Sequence, residues 1–176
     1  MSKNRGFTLV ELMVTITVLA IVVGVAAPSL AAFIQSNRVA GNANSMVSAL
    51  NFARSEAVSR AESVRFCPVN ESQDGCSGSD DWSAGWVAIV QSGSDAGEVL
   101  RVWSPLPDSL DMSLDTQAEV SEEFVDMLPL GNVETGSGNF RYRWTLKPDN
   151  CRTGRPYQRS IDLAPTGRSL VEREEC

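Results

Sequence analysis

Residues 7–34 constrain this chain more than any other stretch. They are 28 consecutive positions dominated by Val, Leu, Ile, Ala and Phe, and Glu11 is their only charge. At about 1.5 Å of rise per residue, a helix of this length crosses a hydrocarbon core of roughly 30 Å. A carboxylate within such a helix costs roughly 2.5–3.5 kcal/mol on insertion scales and normally has a partner, so Glu11 is a candidate functional residue. The plainer alternative is that it lies near the helix end and reaches the headgroups. Lys3 and Arg5 precede the run as the basic segment of a secretory signal would. The run, however, exceeds the roughly 7–15 apolar residues of such a signal, carries an acid at its start and closes on no small-x-small site. The basic residues keep the start of the chain cytoplasmic, and everything after Ile34 is expected to be exported.

The cysteines agree with export. Four cysteines and no histidine read as a disulfide framework rather than a zinc site. Cys67 and Cys76 enclose a short Asn/Ser/Asp/Gly loop, and Cys151 and Cys176 tie the last residue back onto the domain. These are the expected pairs, although four cysteines allow three connectivities. Closing the second loop is worth roughly 3 kcal/mol by loop entropy. After a long helix, roughly 110–120 of the 176 residues remain, enough for one domain with its own core.

Gly24 and Pro28 weaken the apolar helix locally, the first by entropy and the second by removing a backbone hydrogen bond. From residue 35 the pattern becomes amphipathic, with Val39, Ala43, Met46, Leu50, Ala53, Ala57, Ala61 and Val64 recurring at three or four residues. The spacing predicts that residues 35–65 continue the helix, with Arg38, Arg54, Glu56, Arg60 and Glu62 on a solvated face making weak ion pairs. The period then changes. Residues 63–66, 85–91 and 98–103 read as strands, the last two forming a hairpin across a Gly/Ser/Asp turn. Trp82, Trp86 and Trp103 read as core fillers rather than ligand-stacking platforms.

Residues 105–132 carry Pro105, Pro107 and Pro129 as breakers and give no clear element. Ten carboxylates between Asp95 and Glu134 face the single Arg101, without the spacing of a catalytic pair or a metal site, so a solvated surface or one that meets a basic neighbour is expected. The last forty residues reverse the sign. Residues 140–146, 159–163 and 168–171 read as strands, and Arg141, Arg143, Lys147, Arg152, Arg155, Arg159, Arg168 and Arg173 all fall among them or their loops. Arginines interleaved with aromatics can hold a phosphate backbone. The formal charge of −7, which becomes −9 once Lys3 and Arg5 are removed, opposes general polyanion binding.

Gly6-Phe7-Thr8-Leu9-Val10-Glu11 resembles the leader of type IV pilins and of type II secretion pseudopilins: a glycine, an aromatic and a glutamate, after a short basic leader and before a long apolar helix. That resemblance implies cleavage between Gly6 and Phe7 by a prepilin peptidase and methylation of the new amino terminus at Phe7. It also implies that Glu11 neutralises the terminal amine of a neighbouring subunit, and that the helix melts around Gly24 and Pro28 as the filament forms. Asn51 to Ala57 with Arg60, and Trp82 followed by Gly85-Trp86, are similar to the GspH/FimT-like group, nearest to minor pilins of the FimU/FimT type.

The expected fold is α+β, a pilin fold: a long N-terminal helix on a C-terminal antiparallel β domain of two small sheets. Its parts are a leader (1–6), a membrane and filament-core helix (7–34), an amphipathic continuation (35–65) and an exported, doubly disulfide-bonded domain (66–176). The expected function is that of a minor type IV pilin, a structural subunit that helps initiate assembly near the pilus tip through contacts with other minor and major pilins. Before assembly it would sit in the inner membrane with its domain in the periplasm, and afterwards in the extracellular filament. Two alternatives are DNA capture during uptake and a minor pseudopilin of type II secretion. Gly167-Arg168 resembles the end of group members that bind DNA through an arginine-rich tail, which makes Arg152, Arg155, Arg159, Arg168 and Arg173 candidate DNA or partner contacts. This chain departs from such a tail, because Leu170 and Val171 follow and Glu172, Glu174 and Glu175 surround Arg173. No enzyme, metal or cofactor is expected: no histidine is present, and no nucleophile is paired with a base.

Overall fold

The computed structural model describes residues 7–91, 93–116, 123–134, 142–154 and 157–176. Among these residues one α-helix, α1 (Leu9–Arg60), precedes eight strands: β1 (Val64–Pro68), β2 (Trp86–Val90), β3 (Val99–Trp103), β4 (Leu110–Thr116), β5 (Val125–Met127), β6 (Tyr142–Pro148), β7 (Gln158–Leu163) and β8 (Ser169–Glu174). By their contacts the residues divide after Asn37 into two compact units.

In the first unit the large apolar side chains from Leu9 to Ile34 are all exposed. The Thr15 and Thr17 hydroxyls donate to the carbonyls of Leu12 (2.8 Å) and Met13 (2.7 Å). Such back-bonding satisfies a hydroxyl within the helix itself, so both threonines suit an apolar setting.

In the second unit, beginning at Arg38, the helix buries Val39, Ala43, Met46, Ala49, Leu50, Ala53 and Ala57. These residues share one core cluster with side chains from both sheets. The stripe ends earlier than its period suggests. Ala61 is exposed and adopts φ 55°, which terminates the helix after Arg60, and Val64 is buried as a strand residue rather than as the next turn. The expected helical span of 35–65 is therefore too long by five residues. Val64 and Arg65 pair with Val90 and Ile89 on one side and with Met127 and Asp126 on the other, and that two-sided ladder outweighs one more helical turn.

Both sheets are four-stranded and antiparallel, in the orders β3-β2-β1-β5 and β4-β6-β7-β8. The β2–β3 hairpin falls where the turn chemistry places it. Two strands lie inside the acidic stretch from which no element could be read, and the prolines flank them rather than break them. β4 alternates buried Leu110, Met112 and Leu114 with Asp111, Ser113 and Asp115. β5 is only three residues long, and its buried Asp126 takes a bidentate pair from Arg65 at 2.8 and 2.7 Å. The guanidinium of Arg65 also lies 3.6 Å from the Phe124 ring centre.

Trp82, Trp86 and Trp144 fill the core, and Trp103 packs half-buried at its edge. Trp82 meets Trp144 edge to face at 5.2 Å, and the Trp86 indole donates to the Trp82 carbonyl at 2.8 Å. The residue between them in this motif has to be glycine: Gly85 has φ 94°, and a Cβ there would lie 2.6 Å from the Trp103 carbonyl oxygen. Cys67–Cys76 and Cys151–Cys176 are the two disulfides.

Candidate functional site

Thr8 opens α1 as its N-cap. The Glu11 amide donates to the Thr8 hydroxyl at 3.2 Å, and the Thr8 amide donates to a Glu11 carboxylate oxygen at 3.5 Å. This reciprocal pair is a capping box, which satisfies two amides that a helix start leaves without partners. Glu11 therefore has a local partner within the single chain, one residue from the Phe7 nitrogen. Phe7 is 86% exposed, and Gly6 lies outside the described residues. The helical assignment continues without a break through Gly24 and Pro28. A Cβ at Gly24 would meet nothing within 4 Å, so the glycine weakens the helix with no compensating contact in this unit.

The C-terminal arginines do not converge on one surface. In the second sheet, cross-strand register assigns Arg143 and Lys147 to the outer face and Arg159 and Arg173 to the face that carries Trp144 and Ile161. Arg143 is clamped by Asp162, buried to 5% exposure, through two bonds of 2.7 Å, with Glu174 at 3.6 Å. Lys147 faces Asp111 at 3.7 Å. The same face carries Asp115 and Glu172, so acids outnumber bases across it. Arg159 stands opposite Arg173 and donates to the Gln158 carbonyl. Burial first, and then Arg173, lower its pKa below the ordinary arginine value. Arg152 and Arg168 are exposed, and Arg155 lies outside the described residues.

Arg54 departs from its sequence reading. Instead of making a surface ion pair, it donates from Nε to the Gly131 carbonyl at 2.8 Å and from Nη2 to the Thr166 carbonyl at 3.1 Å. Two loops, 128–133 and 164–168, thus close on one guanidinium, and the Val133 amide joins them by donating to the Pro165 carbonyl at 2.9 Å. Gly167 has φ 75°, and any Cβ there would collide with the Gly131 carbonyl and with Arg54. Nothing in the local sequence marks these partners, which are 77 and 112 positions away. Arg60 behaves as its spacing suggests. It pairs with Glu56 (3.0 Å) and, across the fold, with Glu98 (2.7 Å) near Asp95 (3.6 Å), which ties the helix end to the β2–β3 hairpin.

Among the described residues no three His, Cys, Asp or Glu side chains are grouped to hold a metal ion. The most extended exposed apolar surface is that of residues 9–34, and such a surface requires lipid or other helices to cover it.

Two family models match the chain: "Type II transport protein GspH" over residues 42–167 and "Prokaryotic N-terminal methylation motif" over residues 1–27. No curated protein matches it. Among solved structures it is similar to the type IV minor pilin FimU of Pseudomonas aeruginosa, at 20% identity over 80% of this chain and 92% of that one, with a TM-score of 0.57. It is also similar to the minor pseudopilin EpsH of the Vibrio cholerae type II secretion system, in two structures. One is 11% identical over 77% of this chain and 97% of that one, with a TM-score of 0.51. The other is 9% identical over 80% and 98%, with a TM-score of 0.54. At these identities the likeness establishes the pilin-like fold.

Proposed function

The chain belongs to the GspH family, a family of structural minor pilins and pseudopilins, and from that membership we propose that it is a minor type IV pilin that helps initiate assembly at or near the pilus tip. The observation that carries this reading is the run of exposed large apolar side chains from Leu9 to Ile34, joined to a domain with a core of its own. Lipid covers that half first, and the helices of neighbouring subunits cover it afterwards.

In this reading prepilin peptidase cuts between Gly6 and Phe7 at the inner membrane, and Phe7 is methylated. The new amino terminus then lies beside the Thr8–Glu11 capping box. Within a bundle of apolar helices an isolated amine and an isolated carboxylate are each costly, and pairing offsets part of that cost. Glu11 therefore exchanges part of its capping role for the amine of the adjacent subunit. Gly24 and Pro28 supply the point at which the helix loosens as it leaves the bilayer. The cysteine-bonded domain stands in the periplasm before assembly and on the filament afterwards, where it meets other pilins.

A second reading, a minor pseudopilin of type II secretion, is favoured by the description of the family model and by the shared fold of EpsH. DNA capture has less support, since the candidate arginines do not share one face: Arg159 stands opposite Arg173, whereas Arg168 lines a groove with Asp162 and Leu170 on the other side of the sheet. Deletion and complementation of the gene test all three readings. Surface filaments should disappear and return with the wild-type copy. Intact filaments with secretion lost would replace the pilus reading by the pseudopilin one. Intact filaments and secretion with DNA uptake lost would replace it by DNA capture.

A further inference from the structure

We infer that the outer face of the first sheet, the side turned away from α1, is a docking surface for a partner pilin subunit, and that it receives an apolar segment flanked by basic side chains. The inference rests on the subunit reading above and specifies the chemistry of one contact. An antiparallel sheet with one face on a core commonly gives its other face to water, and polar side chains line that second face. The second sheet obeys this rule. Its outward row of Asp115, Arg143, Asp162 and Leu170 has one apolar member, and the next row, Ser113, Thr145, Ser160 and Glu172, has none. The first sheet breaks it. Register aligns Val102, Val87 and Cys67 in one outward row and Val99, Ile89, Arg65 and Asp126 in the next. With Val69 and Phe124, the apolar members of these rows form a cluster separate from the main core. The hairpin 69–76, closed by the Cys67–Cys76 disulfide, supplies Val69 and Cys76 to that cluster, and Cys67, Val69 and Val87 are buried in it. Ile89, Val99, Val102 and Phe124 stay half-buried, so the cluster has no complete second layer among the described residues. A single half-exposed valine is ordinary. Four such side chains, spread from β3 to the start of β5 on the face where polar residues belong, mark a surface that a partner covers.

Charge identifies the occupant. Among the described residues Arg65 is the one base that register places on this face, and Asp126 takes both arms of its guanidinium at 2.8 and 2.7 Å while the Phe124 ring lies against it at 3.6 Å. Arg101 stands opposite Ala88 on the helix side of the sheet, over the rings of Phe52 and Trp103. Glu134 extends the second outward row. Its amide donates to the Asp126 carbonyl at 2.9 Å, and Val133 bridges to the core residue Met127, so Glu134 stands beside Asp126 on the outer side, where it is exposed. The 69–76 hairpin adds Glu71 and Asp74, both exposed. The face is therefore apolar at its centre, with more carboxylates around it than its one base neutralises. A second copy docked face to face would bring these acids together, which disfavours a symmetric dimer. A nucleic acid would meet the same repulsion. A basic, apolar segment of a different subunit matches both features. Because strand pairing and the disulfide already fix this face, the surface is formed before its partner arrives, which reduces the ordering cost of binding.

The test uses the full-length chain in detergent micelles and, as probes, the other purified full-length minor subunits of its filament, one at a time, with sedimentation of the chain alone in parallel. One subunit should bind, and Val99→Lys and Glu134→Lys should each weaken that binding by about tenfold or more. Val99 is half-buried on the edge strand β3, where a lysine reaches water, and Glu134 is exposed, so thermal unfolding of both variants should match wild type. If one variant does not fold, the other still decides. Glu172→Lys, on the outer face of the second sheet, makes the same change in net charge as Glu134→Lys and should leave binding unchanged. A basic-to-acidic change in the partner should restore binding to the Glu134→Lys chain. Equal loss with Glu172→Lys would reduce the contact to net charge and overturn the surface. A bound subunit that tolerates Val99→Lys and Glu134→Lys, or no bound subunit while the chain still enters sheared filaments, would overturn this surface and leave the subunit reading standing. No bound subunit and no chain in filaments would overturn both. Self-association that Val99→Lys abolishes, with subunit binding untouched, would assign the face to a second copy instead.

Discussion

The two halves of α1 are one helix by backbone and two different objects by side chain. Residues 9–34 are apolar on every side, and their large side chains are exposed. Residues 38–60 are apolar along one stripe, and that stripe is buried to between 0 and 1% exposure from Val39 to Ala57. Among the described residues the large apolar side chains of the first half are left uncovered, so its meaning lies in what covers them later. The second half is completed by its own domain, with alanine at four of its seven buried positions allowing close approach of the sheets. A helix that is hydrophobic all round needs lipid or a bundle, whereas a striped one needs only a core.

Replacing Glu11 by Ala should separate the halves most sharply. Processed chain should accumulate in the membrane at the wild-type level, while its amount in sheared filaments falls at least about tenfold, because stranding a neighbour's buried amine costs roughly 3–5 kcal/mol. Unchanged incorporation in a quantitative blot would break the assembly role of the first half. Next comes Met46→Ala against Val18→Ala, read by denaturant unfolding of the detergent-solubilised chain. The first should cost about 2–5 kcal/mol by leaving a cavity in the core, and the second should stay within about 0.5 kcal/mol. Equal costs would mean that the two halves are not energetically distinct.

Arg54→Ala should cost about 1–3 kcal/mol through two carbonyls left without their charged donor, and Arg54→Lys should recover only part of it, because a lysine cannot supply both arms. An unfolding midpoint indistinguishable from wild type would show that the loops hold without the helix. The smallest effect concerns pH. Tyr142 is 3% exposed, and burial, then Asp126 and Glu134, push its pKa up to about 12. The unfolded phenol ionises near its ordinary value of about 10, so this contribution is complete below that pH and is lost as pH rises from about 10 to about 12. Ultraviolet difference titration of wild type against Tyr142→Phe should find the Tyr142 phenol ionising later in the folded chain than in the unfolded one; coincident titration would contradict the burial of Tyr142.

Much of this arrangement is readable from local pattern. The N-terminal methylation motif, the apolar span, the stripe from Val39 to Ala57 and the β2–β3 hairpin each depend on residues close together in the chain. What was missed has a common cause. β4 hides its alternation behind carboxylates, and β5 is too short to show a period, so both become visible only through the partners they pair with. The helix end at Arg60 was overrun because Ala61 and Val64 continue the helical spacing, while the competing β-ladder is supplied by strands from elsewhere in the sequence. The arginine-rich tail illustrates the limit best. Its composition suggests one basic surface, but register divides it between two faces and supplies Asp162 and Asp111 as counter-charges.

By itself, then, the order of residues determined that this chain carries a cysteine-bonded domain on a long apolar helix with one acid near its start, because hydrophobic length, period and turn chemistry are short-range properties. Tertiary structure alone decided that Arg54 would fasten two loops to the helix, and that the first sheet would carry an apolar outer face where the second carries a polar one. Those outcomes depend on groups far apart in the chain that meet only after the sheets have paired and the core has closed.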